Sequence, residues 1–426
     1  MVDLKNKSVG LIGYGTSNQA MCAHLLKKGI MPTVRDKDAC CVPSGLKTVF
    51  GGDYLLAGED IVFRSPGVRP DKICTRGQVF TEASYGLDLC NAYKIGVTGS
   101  DGKTTTSTLI YRMLCVGNKN AFLGGNIGKP IVSIADRLAQ GDFLVAELSS
   151  FQLMDMEPCL DVAAVTNITE NHLDWHTHMG EYVGAKAHIL KNAKRRVLNY
   201  DDPLVRSLAK ADVYFSLNDR RKMLGKCDFV HIVNGQVCYN DTPLFPVSDI
   251  CLKGQFNVQN VLCALGCTYN LVDKKALWRV AREFCGVENR MESVLTLGGV
   301  EFVCSAIDST PSRTVKTLSA FDLSRTVCIL GGYDKNLSYE CLRAPLSQAK
   351  GVVLCGENRD KIAACVNRRV TIVNTLEEAV AAAYGIATDG DTVILTPASA
   401  SFDMFKNYRE KASAFKRAVN RMQNAK

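Results

Sequence analysis

The sequence lacks any apolar run as long as the ~18 residues that a membrane-spanning helix requires. Its first residues run directly into a strand-like stretch, without a long apolar segment and without a small-residue cleavage site. These absences predict a protein that stays in the cytosol and has no membrane partner.

The cysteines lack the spacing of a metal or disulfide scaffold. No C-x-x-C pair occurs among the 18 cysteines, and only Cys40 and Cys41 are adjacent. Structural disulfides and zinc sites remain alternatives, but cysteines scattered through a long apolar chain favour reduced, mostly buried thiols.

Low-complexity linkers and short internal repeats are absent, and the composition is that of a globular protein. Apolar residues make up 46% and charged residues 22% of the 426 positions, and this length favours about two to four domains. The net charge of +8 allows nucleic acid, acidic lipid or small anions as partners. The basic run at 191–196 has no interleaved aromatic residues, so we interpret it as a solvated helix end and expect no nucleic-acid partner.

Two strand–glycine–helix patterns mark the beginnings of two α/β domains. The first has an apolar strand at 8–15 followed by helical spacing at 19–28, and the second has a strand at 94–99 followed by a helix at 104–114. A new strand at 299–303 begins a third alternation of strands and helices. We therefore predict an α/β protein with domains at 1–92, 93–288 and 289–426.

The segment Gly99-Ser100-Asp101-Gly102-Lys103-Thr104-Thr105 lies between the second apolar strand and its helix. Glycines let backbone N–H groups turn toward a polyphosphate, the lysine reaches the outer phosphates, and the threonine hydroxyl can ligate Mg²⁺. The first glycine of a strict Walker A loop is replaced by Val97, so the loop is the shorter G-x-x-G-K-T form. A chance Gly-Lys-Thr turn is the simpler alternative.

Two later strand ends carry polar residues. Glu147 comes near the end of an apolar strand, where α/β sheets place their ligands, and could hold the metal or be an ordinary surface residue. The segment 166–174, Thr-Asn-Ile-Thr-Glu-Asn-His-Leu-Asp, follows the strand at 162–165.

The G-x-x-G-K-T loop, the Glu-Leu-Ser-Ser-Phe-Gln-Leu strand end at 147–153, the segment 166–174 and Lys186 in Gly-Ala-Lys-Ala follow one another in this order. Together they resemble the central domain of the Mur ligase family of ATP-dependent amide ligases. The resemblance extends over essentially the whole chain and is strongest at 94–190. It implies an N-terminal Rossmann-like UDP-binding domain, a central P-loop ATPase-like domain with a parallel sheet, and a C-terminal Rossmann-like domain.

The resemblance assigns catalytic and metal roles to the central domain. It implies that Lys103 and Thr104 hold the ATP phosphates and Mg²⁺, with two metal ions, and that Glu147 and His172 bind metal. Lys186 matches a lysine that the family carbamylates, although a solvated helix lysine is the simpler alternative. His176 and His178 match no family position, so we expect them to be surface or substrate-loop histidines.

The nucleotide site that the resemblance implies extends beyond the loop. Asn257 and Asn260 match an adenine-contacting segment, although either could merely cap a helix. Arg290 matches an arginine near the nucleotide, and Asp308 an aspartate near the ribose. The implied ATP-binding residues are Gly99, Ser100, Asp101, Gly102, Lys103, Thr104, Thr105, Asn257, Asn260, Arg290 and Asp308.

The N-terminal Gly13-Tyr14-Gly15 turn suggests a dinucleotide site, but Asn18 replaces the third glycine of G-x-G-x-x-G, which argues against NAD. A turn of this kind still offers N–H groups to a diphosphate. The residues that the resemblance implies for a UDP-linked substrate are Gly15, Thr16, Ser17, Asp36, Lys37, Ser65, Pro66, Gly67, Asn126 and His172.

The C-terminal segment 395–408 is similar to that of the family members that add D-glutamate. These members imply an amino-acid site made of Ser312, Lys335, Ser401, Phe402 and Tyr408, and a cation with hydroxyls suits a dicarboxylate. The chain departs from the family pattern in three places: Thr310 replaces a lysine, Tyr408 a phenylalanine, and Lys411-Ala412 an Arg-Gly pair.

The implied reaction belongs to peptidoglycan precursor synthesis. ATP would phosphorylate the carboxylate of UDP-N-acetylmuramoyl-L-alanine, and the amine of D-glutamate would attack the acyl phosphate. We expect a monomer. The alternatives are a related ligase that adds L-alanine or a diamino acid, a folylpolyglutamate synthase, and a P-loop regulator without amide chemistry.

Overall fold

The computed structural model describes residues 2–173, 175–223, 227–366 and 369–424. Asp174, the last residue of the polar segment 166–174, lies outside them. The chain forms two compact units, one of Met1–Ile250 with Phe256–Glu283 and one of Cys251–Gln255 with Phe284–Lys426. Within the described ranges, no helix is both long and apolar enough to cross a membrane.

The first unit begins with a parallel α/β sheet. Its elements are β1 (Val9–Ile12), α1 (Thr16–Lys27), β2 (Thr33–Asp36), β3 (Thr48–Phe50), β4 (Leu56–Ala57), β5 (Ile61–Arg64), β6 (Cys74–Thr75), β7 (Gln78–Thr81) and α2 (Glu82–Leu89). Five strands pair in the order β3-β2-β1-β5-β7, all parallel, and β4 pairs with β6 separately. Leu11, Val34 and Phe63 are completely buried in its core, as expected for strands covered by helices.

A second, larger sheet fills the rest of this unit. Its strands are β8 (Tyr93–Thr98), β9 (Ala121–Gly125), β10 (Phe143–Glu147), β11 (Cys159–Val165), β12 (Asn192–Asn199), β13 (Val213–Ser216), β14 (Asp228–Val233), β15 (Gln236–Tyr239) and β16 (Thr242–Pro246). Its helices are α3 (Lys103–Val116), α4 (Val132–Ala135), α5 (Ser150–Leu153), α6 (Met179–Ala187), α7 (Pro203–Leu208), α8 (Gln255–Thr268) and α9 (Lys274–Glu283).

The strand order in this sheet is β16-β15-β14-β13-β12-β11-β8-β10-β9. The seven strands from β14 to β9 run parallel, whereas β15 and β16 add an antiparallel hairpin at one edge. Every residue of β10 is buried, which explains why this strand is a nearly continuous apolar run in the sequence. The central position of β8 places the loop that follows it among the ends of neighbouring parallel strands.

The basic run at 191–196 is a strand, so its interpretation as a helix end is wrong. It lies largely in β12, between two parallel neighbours, where side chains alternate between the faces of the sheet. Lys194 Nζ lies 2.8 Å from Asp161 Oδ1, and Arg195 donates to Tyr239 Oη at 2.7 Å. The partner of Lys194 lies on the adjacent strand β11 and that of Arg195 on β15, three strands away, and a pattern based on charge alone could not reveal either one.

The second unit is built on a six-stranded sheet. Its elements are β17 (Glu292–Leu297), β18 (Val300–Cys304), α10 (Pro311–Leu318), β19 (Thr326–Leu330), α11 (Arg343–Gln348), β20 (Gly351–Leu354), α12 (Arg359–Cys365), β21 (Thr371–Ile372), α13 (Leu376–Ile386), β22 (Thr392–Leu395) and α14 (Tyr408–Asn424). The order is β17-β18-β22-β19-β20-β21, with an antiparallel β17–β18 pair and parallel pairing elsewhere.

The predicted α/β class, with largely parallel sheets, is confirmed. Each of the three larger sheets packs against an apolar core, as the cluster that contains Leu144, Ala163 and Leu198 shows for the second sheet. The boundaries at 92/93 and 288/289 stay predictions; the first falls directly before β8 and the second between α9 and β17.

Cys251 and Cys285 form a disulfide, so the prediction of reduced thiols is wrong for this pair. Both cysteines belong to the second unit, although they are 34 residues apart and the segment between them belongs mostly to the first. Sequence spacing could not reveal the pair because the two residues are brought together only when the chain returns to the same unit. The other sixteen cysteines, all within the described ranges, form no disulfide, and eight of them are buried.

Reduction of the Cys251–Cys285 disulfide is expected to lower the stability of the protein. A bridge that closes a loop of 34 residues lowers the conformational entropy of the unfolded chain. This raises the free energy of unfolding by roughly 3 to 4 kcal/mol. We expect a strong reductant to lower the thermal midpoint of the wild type by several degrees, measured by circular dichroism. The Cys251→Ser/Cys285→Ser variant controls for the other thiols and should show the lower midpoint with and without reductant. Equal midpoints for wild type and variant in oxidising buffer would contradict this expectation.

Candidate active site

The glycine-rich loop lies between β8 and α3, and two of its glycines have conformations that other residues rarely adopt. Gly99 has φ +151° and Gly102 has φ +78°. A Cβ atom at Gly99 would lie 1.9 Å from Thr166 Oγ1, and one at Gly102 would lie 2.1 Å from Asn260 Oδ1. Both positions therefore require glycine, for conformation and for space. The loop opens directly into the N-terminus of a 14-residue helix, which favours an anion.

The polar segment that follows β11 holds this loop in shape. The backbone N–H of Ser100 donates to Asn167 O at 2.8 Å, and that of Asp101 donates to Asn167 Oδ1 at 2.9 Å. Thr166 Oγ1 donates to Asp101 O at 2.6 Å, and Thr169 N donates to Ser100 Oγ at 2.9 Å. Part of the Thr-Asn-Ile-Thr motif therefore shapes the phosphate loop. Sequence analysis assigned no individual role to Thr166 or Asn167. Their position directly after a parallel strand was the feature that could have indicated one.

Two lysine side chains converge on one carbonyl of the loop. Lys103 Nζ donates to Gly99 O at 2.8 Å and to Ser100 O at 3.0 Å. Lys186 Nζ, which comes from α6, donates to the same Gly99 O at 2.8 Å and lies 4.6 Å from the centre of the Tyr182 ring. Two amino groups thus meet at the place where polyphosphate would bind.

Lys186 is completely enclosed, so the alternative of a solvated helix lysine is wrong. Burial lowers the pKa of its ammonium well below the ordinary value, and the charge of Lys103 lowers that pKa further. Asp101 and Glu147 oppose this shift through their negative charges. A buried lysine of this kind has ready access to its neutral, nucleophilic form.

Glu147 ends β10 and is also buried, so it is not an ordinary surface residue. Its Oε1 accepts a hydrogen bond of 2.7 Å from Asn126 Nδ2. Its Oε2 is buried and accepts no hydrogen bond from any residue that the structure describes. A buried carboxylate oxygen without a donor is costly unless a cation satisfies it.

These residues fit a magnesium ion. No three His, Cys, Asp or Glu side chains gather into a metal-binding cluster in the part of the chain that is described. Mg²⁺ does not need such a cage, because it is commonly held by one or two protein oxygens together with phosphate oxygens and water. The orphan oxygen of Glu147 and the hydroxyl of Thr104, in the first turn of α3, are oxygen donors of this kind.

The three histidines near the loop have different environments. His172 is exposed, has a left-handed backbone with φ +57°, and packs edge-on against Phe151 at 5.0 Å. His176 is buried, so the surface alternative is wrong for it, while the substrate-loop alternative stays a prediction. Its Nε2 lies 2.9 Å from Ser150 Oγ, aromatic rings cover it, and burial lowers the pKa of its imidazole. His178 is exposed and caps α6 by accepting from the Glu181 N–H.

Eight of the ten residues expected for a UDP-linked substrate lie at the carboxyl ends of three adjacent strands. The turn with Gly15, Thr16 and Ser17 follows β1, Asp36 ends β2, and the turn with Ser65, Pro66 and Gly67 follows β5. The exposed Lys37 comes next to Asp36. Asp36 Oδ2 accepts from the Tyr14 N–H at 2.5 Å. Ligands of open parallel sheets bind at such edges. Asn126 lies elsewhere, after β9, where its Nδ2 donates to Glu147 Oε1; its contact with substrate stays a prediction.

Asn18, which replaces the third glycine, has a structural role that sequence reasoning missed. Its side chain is completely buried. The amide Nδ2 donates to Ile12 O at 3.0 Å, to Gly13 O at 2.8 Å and to Phe63 O at 3.0 Å. These hydrogen bonds connect the glycine turn to β5. The only indication of this role in the sequence was a polar residue on the helix face that packs on the sheet.

Asn257 and Asn260 are buried within α8, so neither is a simple cap. Asn260 Nδ2 donates to Asn257 Oδ1 at 3.1 Å, and Thr106 Oγ1 donates to Asn260 Oδ1 at 3.3 Å. Because Asn260 also faces Gly102, the structure brings it to the back of the phosphate loop.

In the second unit, Asp308 lies in a buried polar cluster. It accepts a hydrogen bond of 2.9 Å from Thr396 Oγ1. Burial raises the pKa of its carboxyl, while hydrogen bonds and the nearby charge of Arg290 act in the opposite direction. The structure thus brings Asp308 and Arg290 near each other.

The five residues expected to bind the amino acid all lie at the carboxyl edge of the second unit's sheet. Exposed Lys335 follows β19, while buried Ser401 and exposed Phe402 follow β22. Ser312 lies in the first turn of α10, and Tyr408 is the first residue of α14. The loops after β19 and β22 are joined because the N–H of Tyr333 donates to Ala400 O at 2.9 Å.

The central sheet with its glycine-rich loop, adjoining lysine and buried carboxylate defines a P-loop-type nucleotide-binding protein. Residues 97–268 match the Mur ligase middle domain, and residues 289–399 match the Mur ligase glutamate ligase domain. The chain belongs to the Mur ligase family.

Curated relatives match over nearly the full length of the chain. It is 39% identical to the UDP-N-acetylmuramoylalanine–D-glutamate ligase of Acetivibrio thermocellus, over 98% of this chain and 97% of the relative. The ligase of the same name from Ruminiclostridium cellulolyticum is 36% identical, over 99% and 98%.

Solved structures share the fold. The UDP-N-acetylmuramate-alanine ligase of Thermotoga maritima has a TM-score of 0.61 at 19% identity, covering 99% of this chain and all of that one. A MurF ligase from Thermotoga maritima in complex with ADP has a TM-score of 0.59 at 16% identity, covering 99% and 98%. These neighbours support the three-domain α/β architecture.

The substitution Gly102→Ala is expected to weaken nucleotide binding by at least about tenfold. The added methyl group would strain a left-handed residue and would collide with Asn260 Oδ1, which displaces the loop. Gly141→Ala is a matched control, because Gly141 also has positive φ, +99°, but has open space around its Cβ position. Calorimetric titration with a non-hydrolysable Mg-ATP analogue measures both. Equal losses of affinity in the two variants would refute the steric role of Gly102.

Proposed function

We propose that this chain is an ATP-dependent ligase that joins UDP-N-acetylmuramoyl-L-alanine to D-glutamate in peptidoglycan precursor synthesis. The observation that carries the proposal is the convergence of Lys103 and Lys186 on the carbonyl of Gly99, inside a loop that opens into a helix N-terminus. The near full-length relatives that bear this activity in their names support the choice of substrates.

The loop is suited to hold the phosphates of ATP. We propose that Lys103, whose amino group now donates to loop carbonyls, turns toward the outer phosphates when ATP binds. Asn257 and Asn260 would face the adenine, and Arg290 and Asp308 are further proposed nucleotide-binding residues.

Magnesium ions would neutralise the negative charge of the phosphates. Thr104, Glu147, His172 and a carbamylated Lys186 are the proposed ligands of two ions. The carbamate forms when the neutral amine of Lys186 adds to carbon dioxide and loses a proton. This change would replace a cation beside Lys103 by an anion, so a repulsive pair would become an attractive one.

The proposed ligation has two steps, phosphorylation of the acceptor carboxylate and attack by the amine. A carboxylate oxygen of the UDP-linked acceptor attacks the γ-phosphorus of ATP, and ADP leaves. The amine of D-glutamate then attacks the acyl carbon, the carbon–oxygen bond to phosphate breaks, and the amine proton is lost to solvent. The chain's part is to orient three anionic reactants and to offset their charge, with Lys103 at the phosphates and Lys335 at the amino acid.

The amino-acid site is proposed at the carboxyl edge of the second unit. The charge of Lys335 and the hydroxyls of Ser312 and Ser401 suit the two carboxylates of D-glutamate. Ser401 Oγ is buried and makes no hydrogen bond with a described residue, which leaves it available to a ligand. Phe402 and Tyr408 would cover the aliphatic part. We further propose that the protein acts as a monomer in the cytosol.

Phosphate release by the purified protein tests this function. With Mg-ATP and UDP-N-acetylmuramoyl-L-alanine, we expect release with D-glutamate and not with L-glutamate, L-alanine, L-lysine or meso-diaminopimelate. The variant Lys103→Ala should lose nearly all turnover while it keeps the fold. Release with another amino acid would keep the ligase chemistry but overturn the amino-acid site. ATP binding without substrate-dependent release would favour the regulator alternative.

Lys186 carbamylation is expected to be visible by ¹³C NMR. Wild type incubated with ¹³C-labelled bicarbonate should show a carbamate signal that is absent from Lys186→Ala. This variant should lose activity by at least about a hundredfold, and short carboxylates such as formate should partly restore it by replacing the missing anion. Lys191→Ala is the control, because Lys191 is exposed and pairs with Glu157 at the surface. A carbamate signal that persists in Lys186→Ala would contradict the assignment.

A further inference from the structure

Lys411 is a buried cation at the carboxyl edge of the second unit's sheet. It lies in α14, and its side chain is completely inaccessible to solvent. Its Nζ donates to Gly331 O at 2.6 Å. Gly331 directly follows β19 and begins the turn that leads to Lys335. A charged side chain that is buried in this way is costly unless specific partners satisfy it.

The Lys411 ammonium lies where two loops cross. The N–H of Gly331 donates to Pro397 O at 2.9 Å, which joins the loop after β19 to the loop after β22. A Cβ atom at Gly332 would lie 2.3 Å from Ala400 O and 3.3 Å from Lys411 Nζ. The lysine is thus packed beneath the junction of the loops that carry the expected amino-acid-binding residues.

The polar surroundings of Lys411 include one carboxyl group and one thiol, those of Asp403 and Cys355. Burial lowers the pKa of the Lys411 ammonium, and Cys355 and Asp403 act in the opposite direction. Asp403 Oδ2 accepts from the Glu357 N–H at 3.2 Å, and its buried Oδ1 accepts no hydrogen bond from a described residue. Gly331 O is the one hydrogen-bond acceptor found for Lys411 Nζ among the described residues.

We propose that Lys411 is a positioning residue for the amino-acid substrate: by holding Gly331, it fixes the turn that carries Lys335 against the loop that carries Ser401 and Phe402. This inference rests on the proposed amino-acid site. Because Lys411 acts through these loops, its loss should affect the amino acid selectively, and the affinities for ATP and for the UDP-linked acceptor should change little.

The test compares Lys411→Met, which keeps length and removes charge, with Lys411→Arg, which keeps the charge and the donor. For Lys411→Met we expect the KM for D-glutamate to rise by at least about tenfold, with the KM values of ATP and acceptor nearly unchanged. Lys411→Arg should recover most of this loss. A D-glutamate KM that stays at the wild-type value in Lys411→Met, or three KM values that rise equally, would overturn the proposal.

A matched control separates positioning from general stability. Lys350 is a partly buried lysine of the same unit that pairs with Asp391, and both residues directly precede strands at the opposite edge of the sheet. Lys350→Met should lower the thermal midpoint and leave the D-glutamate KM unchanged. If both methionine variants change the midpoint and the KM alike, Lys411 is merely structural.

A second measurement applies if Lys411→Met does not fold. Loss of the Lys411 proton at alkaline pH should raise the D-glutamate KM of the wild type relative to that of Lys411→Arg, which stays charged. The ratio of the two KM values cancels the titration of D-glutamate itself. A ratio that is constant with pH would contradict the proposal.

Failure of the proposed function and failure of the role of Lys411 give different results. If the wild type releases phosphate with no amino acid, the proposed function fails. Activity with normal KM values in the variants refutes the role of Lys411 alone.

Discussion

The structure of the candidate site depends on one carbonyl oxygen, that of Gly99, to which two lysine side chains donate. Like charges so close together in a buried place are unfavourable unless anions are present. The loop offers N–H groups and a helix terminus to such anions, and no residue with a side chain fits at Gly99 or Gly102. Burial lowers the pKa of Lys186, and the charge of Lys103 lowers it further.

The residues around this oxygen come from distant parts of the chain. The parallel order of β8, β10 and β11 puts their carboxyl ends side by side, so Glu147 and the segment after β11 reach the loop from neighbouring strands. The helix α8 adds Asn260 from behind. Strand order is therefore the physical link between the sequence motifs and the site.

Much of this could be predicted from the sequence, because local chemistry determines it. The glycine loop, the buried strands and the start of α3 follow from apolar runs and from the conformations that glycine allows. What could not be predicted depends on contacts between distant residues. The burial of His176, the hydrogen bonds of Asn18 and the Cys251–Cys285 disulfide all arise from tertiary packing, and the run at 191–196 was misinterpreted because its partners lie on other strands.

The central claim is that the loop at Gly99 activates a carboxylate by phosphorylation. The most direct test uses UDP-N-acetylmuramoyl-L-alanine labelled with ¹⁸O in its carboxylate, together with Mg-ATP and D-glutamate. The account predicts that one labelled oxygen is transferred to each released phosphate, as mass spectrometry would show. Released phosphate without ¹⁸O, accompanied by amide product, would contradict an acyl phosphate intermediate and with it the proposed role of the site.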